Sequence, residues 1–569
     1  MTPRTITRLA ETASIPNLED VDFTPLIVAN GPSGAISSVT ADAGNTGDGT
    51  VAFANEPTAD LDLVIDVTTT GVVGVMAFRY SIDGGTNYSD PISSVGQTSG
   101  VAFDFIENMT ITLTDGTSPF TLGDKWYATM NGSMLANYPV LVTPDSVDTI
   151  VKGGHLYDAI KMYFNASVNT YGSPGRCYAI RPTNDNAGSL GTVTSVITGN
   201  GTIGIAGTPT RDMEIKVEII LVGGQCATAK YRYSINGGDT WSDTYTTPAS
   251  GTGVYIGYGV TVTFTDGSAP SYNIGDYAEV TATAPYATDI LKAFSDSLST
   301  ILVRDDVKYN GNFGMILVAE DTEYSEWLYM TEILDQIEDA GYPQWCIMQP
   351  DQRTSVETVS AWVTDTVNEA TPFFDKRIAI TPFSINTNLY TNKNFSSILM
   401  GVYSVVPVGF DAGDINYVNL LDSGITSVVD KDALRAYRDT LDEARYVVVY
   451  DKPNIDGDFI ANSNLMSTSG SSYKYIRDIR VANRVRRLAQ VKGDTMLKRT
   501  YLNNASSLIA IATEIETYIL NNTRGQVTDI NVEVLSSLTD LQNGTVRLKI
   551  VIDKTLLLDE LDITVQYSA

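Results

Sequence analysis

The sequence predicts a multidomain α+β protein: an α/β core, two inserted antiparallel β-sandwich domains, and a C-terminal module of helices and strands. Three observations predict it. A block of alternating sequence recurs once, about 150 residues later. Strand-like apolar runs separated by helical periods fill the region after residue 285. A basic segment, an apolar helix and short strands close a chain that is otherwise strongly acidic.

At 569 residues the chain exceeds what one hydrophobic core serves, so about three to five domains are expected. Its 43% hydrophobic and 18% charged composition is that of a globular protein, and its 46 Gly and 31 Tyr favour turn-rich β structure. A net charge of −30 argues against chain-wide affinity for nucleic acid or anionic membrane. Cys177, Cys226 and Cys346 are few and far apart, which points to three buried thiols in a reducing compartment rather than a disulfide framework. The N-terminus lacks the apolar run of a signal peptide, and no stretch approaches the roughly 20 apolar residues that cross a bilayer.

Residues 1–30 read as an N-terminal arm, or a frayed terminus, leading into a first core strand within Phe23–Asn30 that the Gly31-Pro32 breaker closes. The repeat comes next. Phe78-Arg-Tyr-Ser-Ile-Asp-Gly-Gly85 returns as Tyr231-Arg-Tyr-Ser-Ile-Asn-Gly-Gly238. Thr110-Ile-Thr-Leu-Thr-Asp-Gly116 returns as Thr261-Val-Thr-Phe-Thr-Asp-Gly267, and Leu122-Gly-Asp124 as Ile274-Gly-Asp276. Both copies alternate apolar and polar residues, so 31–138 and 189–285 read as antiparallel β domains with one wet face per sheet. Ser234-Ile-Asn-Gly-Gly-Asp-Thr-Trp241 resembles the Asp-box hairpin of sialidase propellers. Asp83, Gly84 and Gly85 in one copy, and Asn236, Gly237 and Gly238 in the other, supply the positive φ a tight turn needs, with Trp241 plugging the hairpin onto its sheet. Two copies do not make a propeller, so a structural hairpin is the favoured reading over a glycosidase.

Between the repeats, residues 139–188 belong to the core. Leu156, Ile160 and Phe164 lie on one face of a helix over Gly154–Asn165, and Arg176–Arg181 is a strand stopped by Pro182. From 286 to 470 the pattern is α/β. Helices are expected over 288–298, 324–340 and 355–370, with another after Asp430 as its cap. Strands are expected over 313–319, 345–349, 377–381, 398–406 and 445–450. No phosphate-binding Gly loop, nucleophile elbow or H-E-x-x-H motif occurs, and His155 is the sole histidine. Neither enzymatic catalysis, a cofactor site nor a metal site is expected.

The C-terminal module spans 471–569. From Tyr473 to Arg499 nine Lys or Arg stand against two Asp, a local charge of +7. Arg477, Arg480, Arg484 and Arg487 step by three, four and three and so share one helical face. That face suits an acidic protein partner, the chain's own acidic domains, or least of all nucleic acid. Val546, Leu548, Ile550 and Ile552, then Leu561, Ile563 and Val565, alternate with polar residues, giving strands with one buried face and a backbone edge to pair.

The order of these elements resembles the contractile phage tail sheath family. The resemblance is carried by Leu156-Tyr-Asp-Ala-Ile-Lys-Met-Tyr-Phe-Asn165 before Arg176-Cys-Tyr-Ala-Ile-Arg181, and by Arg477-Asp-Ile-Arg480 and Arg484-Val-Arg-Arg487 before the terminal strands. It covers 1–30, 140–188 and 286–569, and leaves the two β domains as insertions on the outer surface. It implies a structural virion protein in stacked hexameric rings around a tail tube. Its partners would be other copies, the tube protein, and baseplate and tail terminator proteins, but neither nucleic acid nor membrane. Assembly would take place in a host bacterial cytoplasm, and contraction would drive the tube through the host envelope. It assigns the arginine face to the tube and the last strands to exchange with a neighbouring subunit, the other reading being an intramolecular hairpin. A glycan-binding virion adhesin using the Asp-box-like domains is the alternative function.

Overall fold

Buried apolar strands dominate the region that the sequence reads as α/β, and the computed structural model sets them side by side. It describes residues 24–168, 171–183, 188–209, 213–221, 223–238, 240–257, 260–283, 287–302, 314–353, 358–387, 393–413, 419–452, 455–496, 505–536 and 546–554. The chain divides into two compact units, Met1–Val28 with Ala159–Tyr178 and Ser295–Ala569, and Ala29–Asp158 with Ala179–Phe294.

In the first unit, strands Leu26–Val28, Met315–Thr322, Trp345–Pro350 and Ile378–Ile380 run parallel in that order. Leu26 lies beside Ile316, Ile316 beside Cys346, and Cys346 beside Ile378. Every residue of Trp345–Pro350 is buried, the signature of a parallel sheet covered on both faces. Helix Tyr324–Asp339 opens with a reciprocal capping box between Glu323 and Glu326 and buries Trp327, Met330, Ile333, Leu334 and Ile337. The Trp327 indole donates to Thr322 Oγ1 at 2.9 Å, and that hydroxyl donates to the Gln349 carbonyl at 2.7 Å, so these three buried groups satisfy one another.

Three expectations are corrected here. The stretch expected as a strand over 398–406 is a helix, Ser396–Val405, buried from Ser396 to Ser404. A short run that is apolar all round reads the same as buried strand or buried helix, because periodicity cannot show when every side is covered. Gly401 explains the packing: a Cβ there would stand 2.4 Å from Ala166 Cβ and 2.5 Å from the Tyr163 carbonyl oxygen. Asp430 precedes the helix Lys431–Leu434 but does not cap it with its side chain. Its carboxylate accepts instead from Arg353 Nε at 2.8 Å. The strand expected over 445–450 is ordered as a strand only over Val449–Lys452, antiparallel to Ile455–Ile460.

The second unit contains two sandwiches of the same topology. In the first, Ala35–Ile36, Lys125–Asn131, Leu61–Thr69, Ala77–Ser81 and Ile92–Ser93 form one sheet, and Thr50–Ala54, Thr110–Thr114 and Ala102–Asp104 the other. In the second, Ser189–Leu190, Tyr277–Thr283, Met213–Ile219, Lys230–Ser234 and Tyr245–Thr246 face Thr202–Gly207, Val260–Thr265 and Gly253–Gly257. Alternation puts Ile215, Val217 and Ile219 into a core shared with Val260, Val262 and Phe264 from the opposite sheet. The repeated Leu/Ile-Gly-Asp motif has a backbone job. Buried Asp124 accepts from the amides of Thr46 (2.8 Å) and Thr121 (2.7 Å), as buried Asp276 does from Thr198 and Asn273 (both 2.8 Å).

Arg181, the last residue of the strand motif in the resemblance, is 3% exposed. Its guanidinium donates to the Met134 carbonyl at 3.1 Å and to Ser33 Oγ at 3.2 Å, and pairs with Glu56. One side chain thus ties together the residues where the chain enters and leaves the first sandwich.

Candidate functional site

The hairpin turns build themselves from local polar contacts. Gly85 N–H donates to Ser81 Oγ at 2.8 Å, while the amides of Thr86 (3.0 Å) and Asn87 (2.9 Å) donate to Asp83 Oδ1. These bonds, led by the Asn87 amide, hold the Asp83 carboxyl down to about 2. In the second copy Ser234 Oγ accepts from Gly238 N–H at 2.9 Å, and Asn236 Oδ1 from Thr240 N–H at 3.0 Å. Gly84 and Gly85 have φ of 71° and 96°, and Gly237 and Gly238 of 70° and 110°, the left-handed region that admits glycine freely. The Trp241 ring carries the Arg232 guanidinium 4.0 Å from its centroid, and Arg232 pairs with Glu218 at 2.7 Å. Tyr88, Arg79 and Asp66 repeat that stack at 4.1 and 2.7 Å. The aromatic at each turn is therefore partnered on one ring face by arginine.

The basic segment forms helix Ile476–Met496. Its arginine face does not project outward. Arg477, Arg480 and Arg487 are 8%, 3% and 3% exposed. Arg480 Nη2 donates to the carbonyls of Tyr403 and Val406, both at 2.9 Å, at the C-terminal end of the buried helix. This is where orphan carbonyls favour a cation. Arg487 Nη2 donates to the Pro343 carbonyl at 2.6 Å, and Arg477 lies 3.6 Å from Asp411. Arg484, on the same face, is half-buried. Within this chain the guanidinium groups of Arg477, Arg480 and Arg487, which the resemblance assigns to a tube, engage its own carbonyls and acids. The exposed cation is Arg486, on a different face, which reaches Glu338 at 2.6 Å. Burial raises the Glu338 carboxyl, but Arg486 and Arg377 outweigh it and leave it below its ordinary value. Arg377 also pairs with Asp375 at 2.7 Å and Asp335 at 2.8 Å.

The face of the basic helix next to the arginines is apolar. Val481, Val485 and Leu488 pack with Ile511, Ile515 and Ile519 of helix Ala505–Asn522, and with Val527, Ile530 and Val532 of the following strand. That strand, Val527–Val534, pairs antiparallel with Leu548–Lys554, setting Val534 opposite Leu548, Val532 opposite Ile550 and Ile530 opposite Ile552. Leu548, Ile550 and Ile552 are half-buried against this core. Within this chain they form the second strand of a hairpin, the other of the two readings the sequence leaves open. Val546 stands just before its second strand. Among the described residues neither strand pairs with another strand, although on the first the amides of Ile530 and Val532 donate to Asp529 Oδ1 at 2.9 Å and Glu516 Oε2 at 3.3 Å. Leu561, Ile563 and Val565 lie outside the described residues, as does most of the arm at 1–30.

Sequence reasoning missed Arg377 and the carbonyl contacts of Arg480. Arg377 stands at the start of a strand with its acids distant in sequence, apart from Asp375. Only the three–four–three spacing marked Arg480, and spacing cannot tell an inward face from an outward one.

Residues 131–464, more than half of the chain, match the family described as DUF2586, N-terminal domain. The chain belongs to the DUF2586 family. No curated protein sequence matches this DUF2586 member. Solved structures similar to it include the sheath tail protein of Desulfitobacterium hafniense, at 13% identity over 74% of this chain and 94% of that one, TM-score 0.37. The sheath tail protein of Listeria innocua is similar at 10% over 74% and 92%, TM-score 0.39. The PVC sheath complex of an extracellular contractile injection system, in its contracted state, is similar at 10% over 76% and 87%, TM-score 0.42.

Proposed function

We propose that this DUF2586 member is a structural subunit of a contractile phage tail sheath, polymerising around a tail tube. One observation carries the reading beyond the order of elements in the sequence. The terminal hairpin Val527–Val534 with Leu548–Lys554 has outer backbone edges that no described strand covers. A two-stranded sheet is marginal alone, and its edges are templates for strands from another chain. Strand addition supplies main-chain hydrogen bonds for affinity and alternate side chains for register. In this reading the hairpin is the acceptor and the segment 555–569 of another copy is a donor. The hairpin is held to the unit through the basic helix, which Arg480 and Arg487 tie to backbone carbonyls on one face and the apolar core holds on the adjacent face.

Tube contact then passes from the buried arginine face to other surfaces of the unit. The energy of contraction resides in subunit packing. Truncation after Lys554 tests the strand-exchange step, since it leaves the hairpin whole. The expected result is rings or monomers that no longer stack into tubes. Stacking that survives the truncation rules the donor role out.

A further inference from the structure

We infer that the loop end of the first sandwich is a contact surface for a second copy of this chain. The two sandwiches are built alike at this end, which makes each a control for the other. Val73 N–H donates to Asp115 Oδ1 at 2.8 Å, and Cys226 N–H to Asp266 Oδ1 at 2.8 Å. Ser94 N–H donates to the Met76 carbonyl at 3.0 Å, and Thr247 N–H to the Ala229 carbonyl at 2.9 Å. Asp115 N–H donates to Ser99 Oγ at 2.8 Å, and Asp266 N–H to Ser250 Oγ at 2.9 Å. Superposing these bonds equates Val72 with Gln225, Val75 with Thr228, Val95 with Pro248, Val101 with Thr252, and Leu122 with Ile274.

The first sandwich therefore carries aliphatic side chains where the same turns in the second carry mostly polar ones or proline. They are not needed for the fold, and they are not covered: Val72, Val75, Val95, Val101 and Leu122 are 47%, 64%, 72%, 54% and 66% exposed. The second sandwich keeps two exposed aliphatics at this end, Leu221 and Ile274. Hydrogen bonds hold the three loops of the first together, from Gly74 N–H to Ser94 Oγ at 3.0 Å and from Leu122 N–H to Thr70 Oγ1 at 2.9 Å.

The occupant follows from charge and area. Segments 70–76, 93–101 and 115–123 contain no Lys or Arg and a single acid, Asp115, engaged by the Val73 amide. They offer no cation to an anionic polymer or lipid headgroup. Exposed Asp48 also accepts from Thr117 and Ser118 of the third segment, both at 2.6 Å, yet on a chain of net charge −30 an end with so few charges is where two copies meet with little repulsion. The patch is on the order of 500 Å² by exposure, a size at which monomer patches are often functional. It falls short of the roughly 800 Å² per partner of a standard stable interface. Such a contact is weak singly and gains strength when repeated through an array. For that multiplication it rests on the polymer reading above.

The test is the full chain carrying Val72→Gln, Val75→Thr and Val101→Thr, residues the second sandwich already uses in these turns. Unchanged thermal unfolding establishes that the fold is kept. The expected result is a critical concentration for tube formation raised roughly tenfold. An unchanged critical concentration overturns the inference while leaving the sheath reading intact. If the unaltered chain forms no tubes, the sheath reading fails and sedimentation velocity of the soluble chain decides. Concentration-dependent self-association that the triple variant loses supports the contact, and identical sedimentation overturns it. Pelleting of the unaltered chain, but not the variant, with phosphatidylcholine vesicles assigns the surface to lipid and also overturns it.

Discussion

Arg480 concentrates the account at the scale of one residue. Its guanidinium satisfies the carbonyls of Tyr403 and Val406 in a place 3% exposed, with the Tyr403 ring 5.3 Å away. Arg480→Ala strips buried acceptors of their donor and is expected to destabilise the chain by about 2–4 kcal/mol in urea unfolding. Arg486→Ala, at an exposed ion pair, should cost under about 1 kcal/mol. Equal costs for the two would contradict the buried-arginine description. Glu369 supplies a pH dependence. Burial first, and then Glu323, Asp351, Asp365 and Glu326, push its carboxyl up from 4.5 to about 7. The folded state thus holds this proton more tightly than the unfolded chain. The stabilisation is complete below about 4.5 and is lost as pH rises through about 7. Unfolding temperature should decline between pH 5 and 8 for this reason, and Glu369→Gln should flatten that decline. An unaltered slope in the variant would remove Glu369 as its cause.

Among the elements, the buried helix Ser396–Val405 shows most clearly what sequence can and cannot carry. Its ten residues are apolar or small on every side, so the 3.6-residue period has no polar face to be seen against. Gly401 is the clue that survives, since the carbonyl of Tyr163 and the methyl of Ala166 leave no room for a side chain. Gly401→Ala is expected to cost about 1–3 kcal/mol through overpacking, despite alanine's better helix propensity. A stabilised variant would show that the two segments separate without cost. The sandwiches were far more legible, because alternation and a recurring Asp-Gly-Gly or Asn-Gly-Gly turn are local signals. The burial of the arginine face was not, because spacing gives a face but not its direction. Nor was the intramolecular pairing of Leu548–Lys554 with Val527–Val534, since alternation marks a strand without naming its partner.

For the whole molecule, net charge sets the long-range force between copies. A chain of −30 repels its copies, and salt screens that repulsion over about 10 Å at 0.1 M. The critical concentration for polymerisation should therefore fall as ionic strength rises from low to physiological values. A critical concentration that rises with salt would instead point to attractive ion pairs between subunits. Arg377 and its acids, like Arg79 with Asp66 and Arg232 with Glu218, pair within a unit and so are already satisfied before assembly. In the proposed reading, partners meet backbone edge at the terminal hairpin and apolar surface at the end of the first sandwich. The most direct measurement is negative-stain electron microscopy of the purified full-length chain across a concentration and salt series. Regular tubes of stacked rings are the predicted result. Discrete monomers or trimers under every condition, above all particles that bind glycan, would contradict it.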